Sequence, residues 1–340
     1  MRAAASPLII GHRGASGYRP EHTSAAYDLA FALGADAVEP DIVATRDGVL
    51  IIRHENDVSG TTDVAERPEF ADRRTTKLID GVEVTGWFTE DFTWSELSRL
   101  RARERLGAVR QSNTTFDDRY PIMRLADLFE LIDRASERAN RALGMVAEIK
   151  HATYFESIGL PLDELFAAEA SDAGWGGDLG RLVVESFERT VLGKLRARGV
   201  RADRVYLVED AGAPADEVAA HGASARSYAD DVTEGGLYEL ATAPAAERVE
   251  GISVPVSLIL DRESPDGTTD LIDRAHGVGL GAFCWTLRPE NRFLAPAFRR
   301  GDEPTAWGDW RAEFELLVGS GIDGVFADHP DLAHDVRTSR

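Results

Sequence analysis

Short apolar, often β-branched runs alternate along this chain with longer segments whose apolar residues recur every three or four positions. The runs Pro7 to Gly11, Ala37 to Val43, Leu143 to Lys150, Arg181 to Ser186, Arg204 to Val208, Gly251 to Val254, Gly281 to Trp285 and Ile322 to Ala327 predict strands covered on both faces. Between them, Thr23 to Leu33, Leu125 to Ala135, Leu162 to Glu169, Glu188 to Arg198, Asp216 to His221, Leu271 to Val278 and Trp310 to Val318 predict amphipathic helices. Strand then helix, repeated about eight times, predicts a closed (β/α)₈ TIM barrel of the α/β class rather than a doubly wound sheet.

Two blocks break the rhythm. Residues 55–120 are polar but carry Trp87, Phe88, Phe92 and Trp94, which predicts a small insertion after the second strand, with an apolar patch of its own, placed to cover the barrel mouth. Residues 227–247 predict an irregular crossover between later strands. On this reading residues 1–340 form a single barrel domain with 55–120 inserted in it.

Composition narrows the partners. The 340 residues hold 38 basic and 59 acidic side chains, a net charge of -21 that repels polyanions and argues against nucleic acid. No stretch approaches the roughly eighteen uncharged apolar residues of a membrane span. Met1 to Ile10 lacks the pattern of a secretory leader, so a chain starting at Met1 is expected in the cytoplasm. One cysteine, Cys284, excludes an intrachain disulfide and a cysteine-cluster metal site. It reads as a small buried strand residue, since no adjacent base would activate it.

Chemistry gathers at the ends of the predicted strands. "LIIGHRGASGYRPEHT" delivers His12 and Arg13 directly after an apolar run, where side chains reach the rim of a sheet. In "AVEPDIVATRDGVLIIRHE" the two-residue spacing of Glu39 and Asp41 points both carboxylates to one face, and two such groups repel unless a proton or cation lies between them. A hard cation such as Mg²⁺ or Ca²⁺ suits those oxygens. The Asp47–Gly48 turn then returns His54 toward the rim. In "MVAEIKH", Glu148 and Lys150 repeat the spacing, so Glu39, Asp41 and Glu148 converge at the C-terminal face of a barrel, with Arg13 and Lys150 as local cations for an anionic oxygen. Each residue alone has a structural use: a packed rim histidine, an interior ion pair, or, for Glu21, a first-turn acid after Pro20. Asp328, His329 and Pro330 read as a helix start outside the site, with Asp328 as N-cap. The glycines of 319–324 make no dinucleotide fingerprint.

Together "GHRGASGYRPEHT", "EPD" with "RHE", "EIK", "VESFE", "GAFCWTL" and "GIDGVFADHPD" resemble, in order and from Leu8 to His334, the motifs of the glycerophosphodiester phosphodiesterase family, in its bacterial glycerophosphoryl diester form. The resemblance implies a (β/α)₈ barrel and metal-dependent hydrolysis of glycerophosphodiesters to sn-glycerol 3-phosphate and an alcohol. It implies Glu39, Asp41 and Glu148 as holders of one Mg²⁺ or Ca²⁺, with His12 and His54 as general acid and base. Arg13 and Lys150 would bind the phosphate, Glu21 would stand on the glycerol side or behind it, and Phe187 with Trp285 would form an apolar wall. Glu55 stands where most members have Asp, and His22 where many have Asn. Rival readings are a phospholipase D-like enzyme of the same superfamily acting on lysophospholipids or sphingolipids, and a non-catalytic barrel binding a phosphoester. Residue patterns specify neither the alcohol nor the oligomeric state.

Overall fold

The computed structural model describes residues 6–177, 180–261 and 267–340; the first five residues, part of the segment read for a leader, lie outside it. The strands are β1 (Leu8–His12), β2 (Ala37–Glu39), β3 (Asp41–Ala44), β4 (Leu50–Ile52), β5 (Thr75–Ile79), β6 (Val82–Gly86), β7 (Gly144–Ile149), β8 (Leu182–Ser186), β9 (Asp203–Leu207), β10 (Gly251–Pro255), β11 (Gly281–Leu287) and β12 (Gly324–Ala327). Pro40, which has no N–H to give to a ladder, divides β2 from β3, and both segments pair with β7. Counting β2 and β3 as one staved position, eight parallel positions run β1, β2–β3, β7, β8, β9, β10, β11 and β12, and β12 returns to β1. The sheet is therefore a closed barrel, as the alternation predicts.

Helices cover the outside. Leu125–Ala139 shows why: Leu125, Leu128, Phe129, Leu131, Ile132 and Ala135 form one buried stripe, and Asn140 ends the helix in the left-handed region at φ 48°. Ser24–Ala32 starts at Thr23, whose hydroxyl accepts from the Ala26 N–H at 3.2 Å. Residues 227–247 are not an irregular crossover. They hold two helices, Tyr228–Asp231 and Glu234–Thr242, capped by Ser227 and Thr233, while Gly235 and Gly236 obscure the apolar period in the sequence.

Between β4 and Leu125–Ala139 the segment 55–120 carries the antiparallel β5–β6 hairpin and several single turns. Of the four aromatics expected as a separate patch, Trp87 and Phe92 belong with Phe70 to the main core, Trp94 packs against it and Phe88 is buried. The reason is a backbone tie, in which the Arg46 N–H at the β3–β4 turn donates to the Phe92 carbonyl at 2.8 Å and the Thr89 hydroxyl donates to the Ala44 carbonyl at 2.9 Å.

A second, smaller cluster of buried side chains comprises Ile10, Ala37, Val146, Val205, Phe283 and Phe326, with Val183 packed against it. One residue comes from each of six barrel strands. It plugs the barrel below the site, and it dictates what stands above it.

Candidate functional site

Side chains two apart on a strand share a face. Two residues beyond Ile10, Ala37, Val146, Val183, Phe283 and Phe326 stand His12, Glu39, Glu148, Glu185, Trp285 and Asp328. All six belong to the next layer, at the C-terminal ends of their strands, where barrels carry their chemistry. Glu185 and Asp328 were not singled out as site residues from the sequence. The period-two step from an interior apolar residue is the signal that marks both.

Register finishes the acidic group. Asp41 on β3 lies opposite Glu148 on β7, and Glu148 lies opposite Glu185 on β8, while His12 lies opposite Glu39. Carboxylate oxygens of Glu39, Glu148 and Glu185 come within 4.8 Å of one another. Burial and neighbouring acids raise Glu39 and Glu185 well above the ordinary carboxylate range, and burial carries Glu148 up to about 8. Asp41 goes the other way: against the push of burial, Lys150, His54 and a hydrogen bond from His22 hold it ionised. Its Oδ2 meets His22 Nε2 at 2.9 Å and lies 3.5 Å from Arg13 Nε. So Asp41, expected simply as a metal ligand, is also the anchor for His22 and Arg13. Its Oδ1 has no hydrogen bond, with Lys150 Nζ at 3.6 Å, and Glu185 Oε2 is likewise buried without a hydrogen-bond partner among the described residues. Several hard oxygens converge with unfilled lone pairs, a donor set that fits a divalent cation of the Mg²⁺ or Ca²⁺ kind.

Each expected proton carrier meets a carboxylate. His12 Nδ1 lies 2.6 Å from Asp328 Oδ1, and His54 Nδ1 lies 2.5 Å from Glu55 Oε1. Asp328 is no N-cap: His329 occupies the cap position of the helix Pro330–Thr338, one residue later than the sequence suggests, which frees Asp328 to turn inward. Burial and Arg13 push His12 down to about 4, against the pull of Asp328; burial, Arg13 and Lys150 push His54 down to about 3. A neutral ring facing a carboxylate through Nδ1 keeps its proton there and turns the Nε2 lone pair outward.

Arg13 sits in the left-handed region at φ 59°, and Gly14 follows at φ 85° with no room for a Cβ, which would lie 2.6 Å from the Ala26 backbone. This sharp step is why β1 ends in His-Arg-Gly: it lets the Arg13 N–H donate to Glu39 Oε2 at 2.8 Å. Lys150 Nζ pairs with Glu148 Oε1 at 2.8 Å and stays charged. Glu21 does not line the large cavity. Arg13 and Arg105 hold it, and against the push of burial they keep it ionised.

These groups open into a cavity of about 890 Å³, whose lining includes His12, Arg13, Glu39, His54, Glu148, Lys150 and Glu185. Phe187 and Trp285 form its aromatic side, edge to face with centroids 6.0 Å apart, and Tyr228 packs on Phe187 at 6.2 Å. Cys284 is buried behind Trp285, with its thiol pushed up by burial.

A family model described as the glycerophosphoryl diester phosphodiesterase family matches residues 12–332. The glycerophosphodiester phosphodiesterase GDPD6 of Arabidopsis thaliana is 28% identical over 97% of this chain and 85% of its own length. A Bacillus subtilis glycerophosphodiester phosphodiesterase is 24% identical over 97% and 86%. Among solved structures, a glycerophosphodiester phosphodiesterase from Agrobacterium tumefaciens superposes with a TM-score of 0.59 at 18% identity, covering 97% of this chain and 99% of that one. An Oleispira antarctica phosphodiesterase in complex with the product sn-glycerol-3-phosphate gives 0.60 at 20% identity, covering 97% and 96%.

Proposed function

The chain belongs to the glycerophosphoryl diester phosphodiesterase family, and from that premise we propose that it hydrolyses glycerophosphodiesters to sn-glycerol 3-phosphate and an alcohol with one divalent cation. The observation that carries this reading is the meeting, in one cavity, of two carboxylate-oriented histidines, two cations and a cluster of buried acids.

Glu39, Asp41 and Glu148 are the proposed cation ligands, with Glu185 as a fourth carboxylate. A bound cation supplies positive charge against the phosphoryl oxygens. Arg13 and Lys150 hold the phosphate's remaining charge. Of His12 and His54, one accepts at Nε2 the proton of the attacking oxygen, whether of water or of the glycerol 2-hydroxyl, and the other delivers a proton to the leaving alkoxide. Because both rings start neutral, a base is present at once. The acid must load a proton, which the phosphate's charge favours and Arg13 and Lys150 oppose. Phe187 and Trp285 supply the apolar wall, and Glu21 acts from behind by holding Arg13.

The test is release of sn-glycerol 3-phosphate from glycerophosphocholine, with EDTA and then with Mg²⁺ or Ca²⁺ restored. Release that EDTA stops and the cation restores is expected. No release from cation-loaded protein with any simple glycerophosphodiester would sink the reading.

A second reading, an acylated glycerophosphodiester such as a lysophospholipid, draws on the mouth of the cavity. Asp80 and Gly81 at the β5–β6 tip line it, and beside them Leu78 and Val82 are each 62% exposed, while lining residue Val218 is 48% exposed. If acyl chains rest there, Leu78→Asp with Val82→Asp lowers lysophosphatidylcholine turnover about tenfold, roughly the loss of one apolar side-chain contact, since the register puts the two residues on opposite faces of the hairpin, and leaves glycerophosphocholine turnover unchanged. Equal turnover of both substrates by this variant and the parent removes the second reading.

A further inference from the structure

Both histidines face their carboxylates because something holds the carboxylates. We propose that Arg105 and Arg110, carried on one turn of the segment 55–120, are positioning residues that fix the orientation of His54 and His12 respectively; this rests on the reading of those histidines as proton carriers.

The geometry is a pair of parallel relays. Arg105 donates to both oxygens of Glu55, Nη1 to Oε1 at 2.8 Å and Nη2 to Oε2 at 2.6 Å, and Glu55 Oε1 is the atom that meets His54. The same guanidinium donates to Glu21 from Nε at 2.9 Å and Nη2 at 2.7 Å, and Glu21 in turn receives Arg13 at 3.1 Å. Arg110 donates from Nη2 to Asp328 Oδ2 at 2.6 Å, and Asp328 Oδ1 meets His12. Arg110 Nε is fixed on Glu290 at 2.7 Å, and Arg288 Nε donates to the same Asp328 Oδ2 at 2.7 Å. The turn between them is itself tied down: Leu106 N donates to Glu104 Oε1 at 2.7 Å, and Asn113 Nδ2 bridges Glu104 Oε2 and the Ser16 carbonyl.

The chemistry explains why arginine is needed. A carboxyl group enclosed beside a neutral imidazole is favoured in its protonated form by burial. Once protonated it would donate to Nδ1, and the ring proton would move to Nε2 and close the lone pair that faces the cavity. Arg105, bidentate on Glu55, keeps that carboxylate ionised and sets its plane, while Arg110 holds Asp328 through one short hydrogen bond to Oδ2, an oxygen it shares with Arg288. Glu55, one methylene longer than the usual family Asp, uses one oxygen for both the ring and the arginine. Its pairing with Arg105 is a property of this chain's own segment 55–120.

The test uses full-length, cation-loaded protein bearing Arg105→Ala, Arg105→Lys, Arg110→Ala or Arg110→Lys, with Arg134→Ala on an exposed helix face as control. For glycerophosphocholine, kcat is expected to fall about 10- to 100-fold in each alanine variant, as for other groups that orient a functional histidine, with partial recovery in the lysine variants. Imidazole ¹⁵N spectra supply the readout that general loosening would not reproduce: Arg105→Ala should change the Nδ1–Nε2 tautomer balance of His54 and spare that of His12, whose Asp328 contact it leaves in place, and Arg110→Ala the reverse. The lysine variants keep the experiment decisive if an alanine variant fails to fold. Turnover within about twofold of the parent, or both rings changing together in either variant, overturns the proposal. If His54→Ala retains turnover, the reading of the histidines fails first; if it loses turnover and the arginine variants do not, only the present proposal fails.

Discussion

His54→Ala is expected to lower turnover of glycerophosphocholine about 10²-fold or more while leaving cation binding intact, and His12→Ala should do the same. A positioned proton carrier contributes roughly 10²- to 10⁴-fold, and neither ring is among the converging cluster of Glu39, Glu148 and Glu185. Steady-state kcat together with calorimetric titration of Mg²⁺ or Ca²⁺ separates the two quantities. A variant that keeps near-parental kcat removes that histidine from the mechanism. The substitutions should also change the response to acid. His12 sits near 4 and His54 near 3 in the fold, below the usual value of about 6.5 for an unfolded chain, so the unfolded state binds more protons as pH falls. Their contribution to stability is complete above about pH 6.5 and is lost as pH falls through about 4 for His12 and about 3 for His54. Melting temperatures of His12→Ala and His54→Ala should therefore decline less steeply than the parent's across that window.

The barrel was legible because its strands are buried on both faces and its helices carry one apolar stripe, two patterns that differ in period. His12, Glu39 and Glu148 were legible because each directly follows an apolar run, and Arg13 and Lys150 because each stands within two positions of one of these. Asp328 was hidden by a plausible local alternative, since an acid before His-Pro also reads as a cap, and only β12's place beside β1 shows that it faces His12. Glu185 lies on a strand that the pattern does mark, but it has no second charged residue two positions away of the kind that draws notice to Glu39 or Glu148. Arg105 and Arg110 lay beyond sequence reasoning altogether. They sit in a polar stretch with no period, and their partners Glu55, Glu21, Glu290 and Asp328 come from distant parts of the chain. Local pattern reports which face a residue takes; it does not report which loop returns to meet it.

Cation binding should be strongly linked to pH, and Glu39→Gln should weaken it by about two orders of magnitude or more, as expected for loss of a charged ligand from a small carboxylate site. Burial and mutual repulsion hold Glu39, Glu148 and Glu185 above the ordinary carboxylate range, Glu148 near 8, so the cation-free cluster carries protons at neutral pH. A cation that takes those oxygens must displace them. Apparent affinity then rises about tenfold per pH unit for each proton released, a slope that Glu148 contributes up to about pH 8. The sign for the cation-free protein is the opposite. Carboxyls whose folded values are raised favour the fold fully below about pH 4.5, and that support is lost as pH climbs through their folded values. The gap in melting temperature between loaded and cation-free protein should therefore widen from pH 6 to 8. Titration calorimetry in buffers of different ionisation enthalpy counts the protons directly, and Glu185→Gln should lower the count if Glu185 is one of the groups that carry them. Binding that releases no proton at pH 7 would mean that the acids are already ionised and held by Lys150 and Arg13 alone.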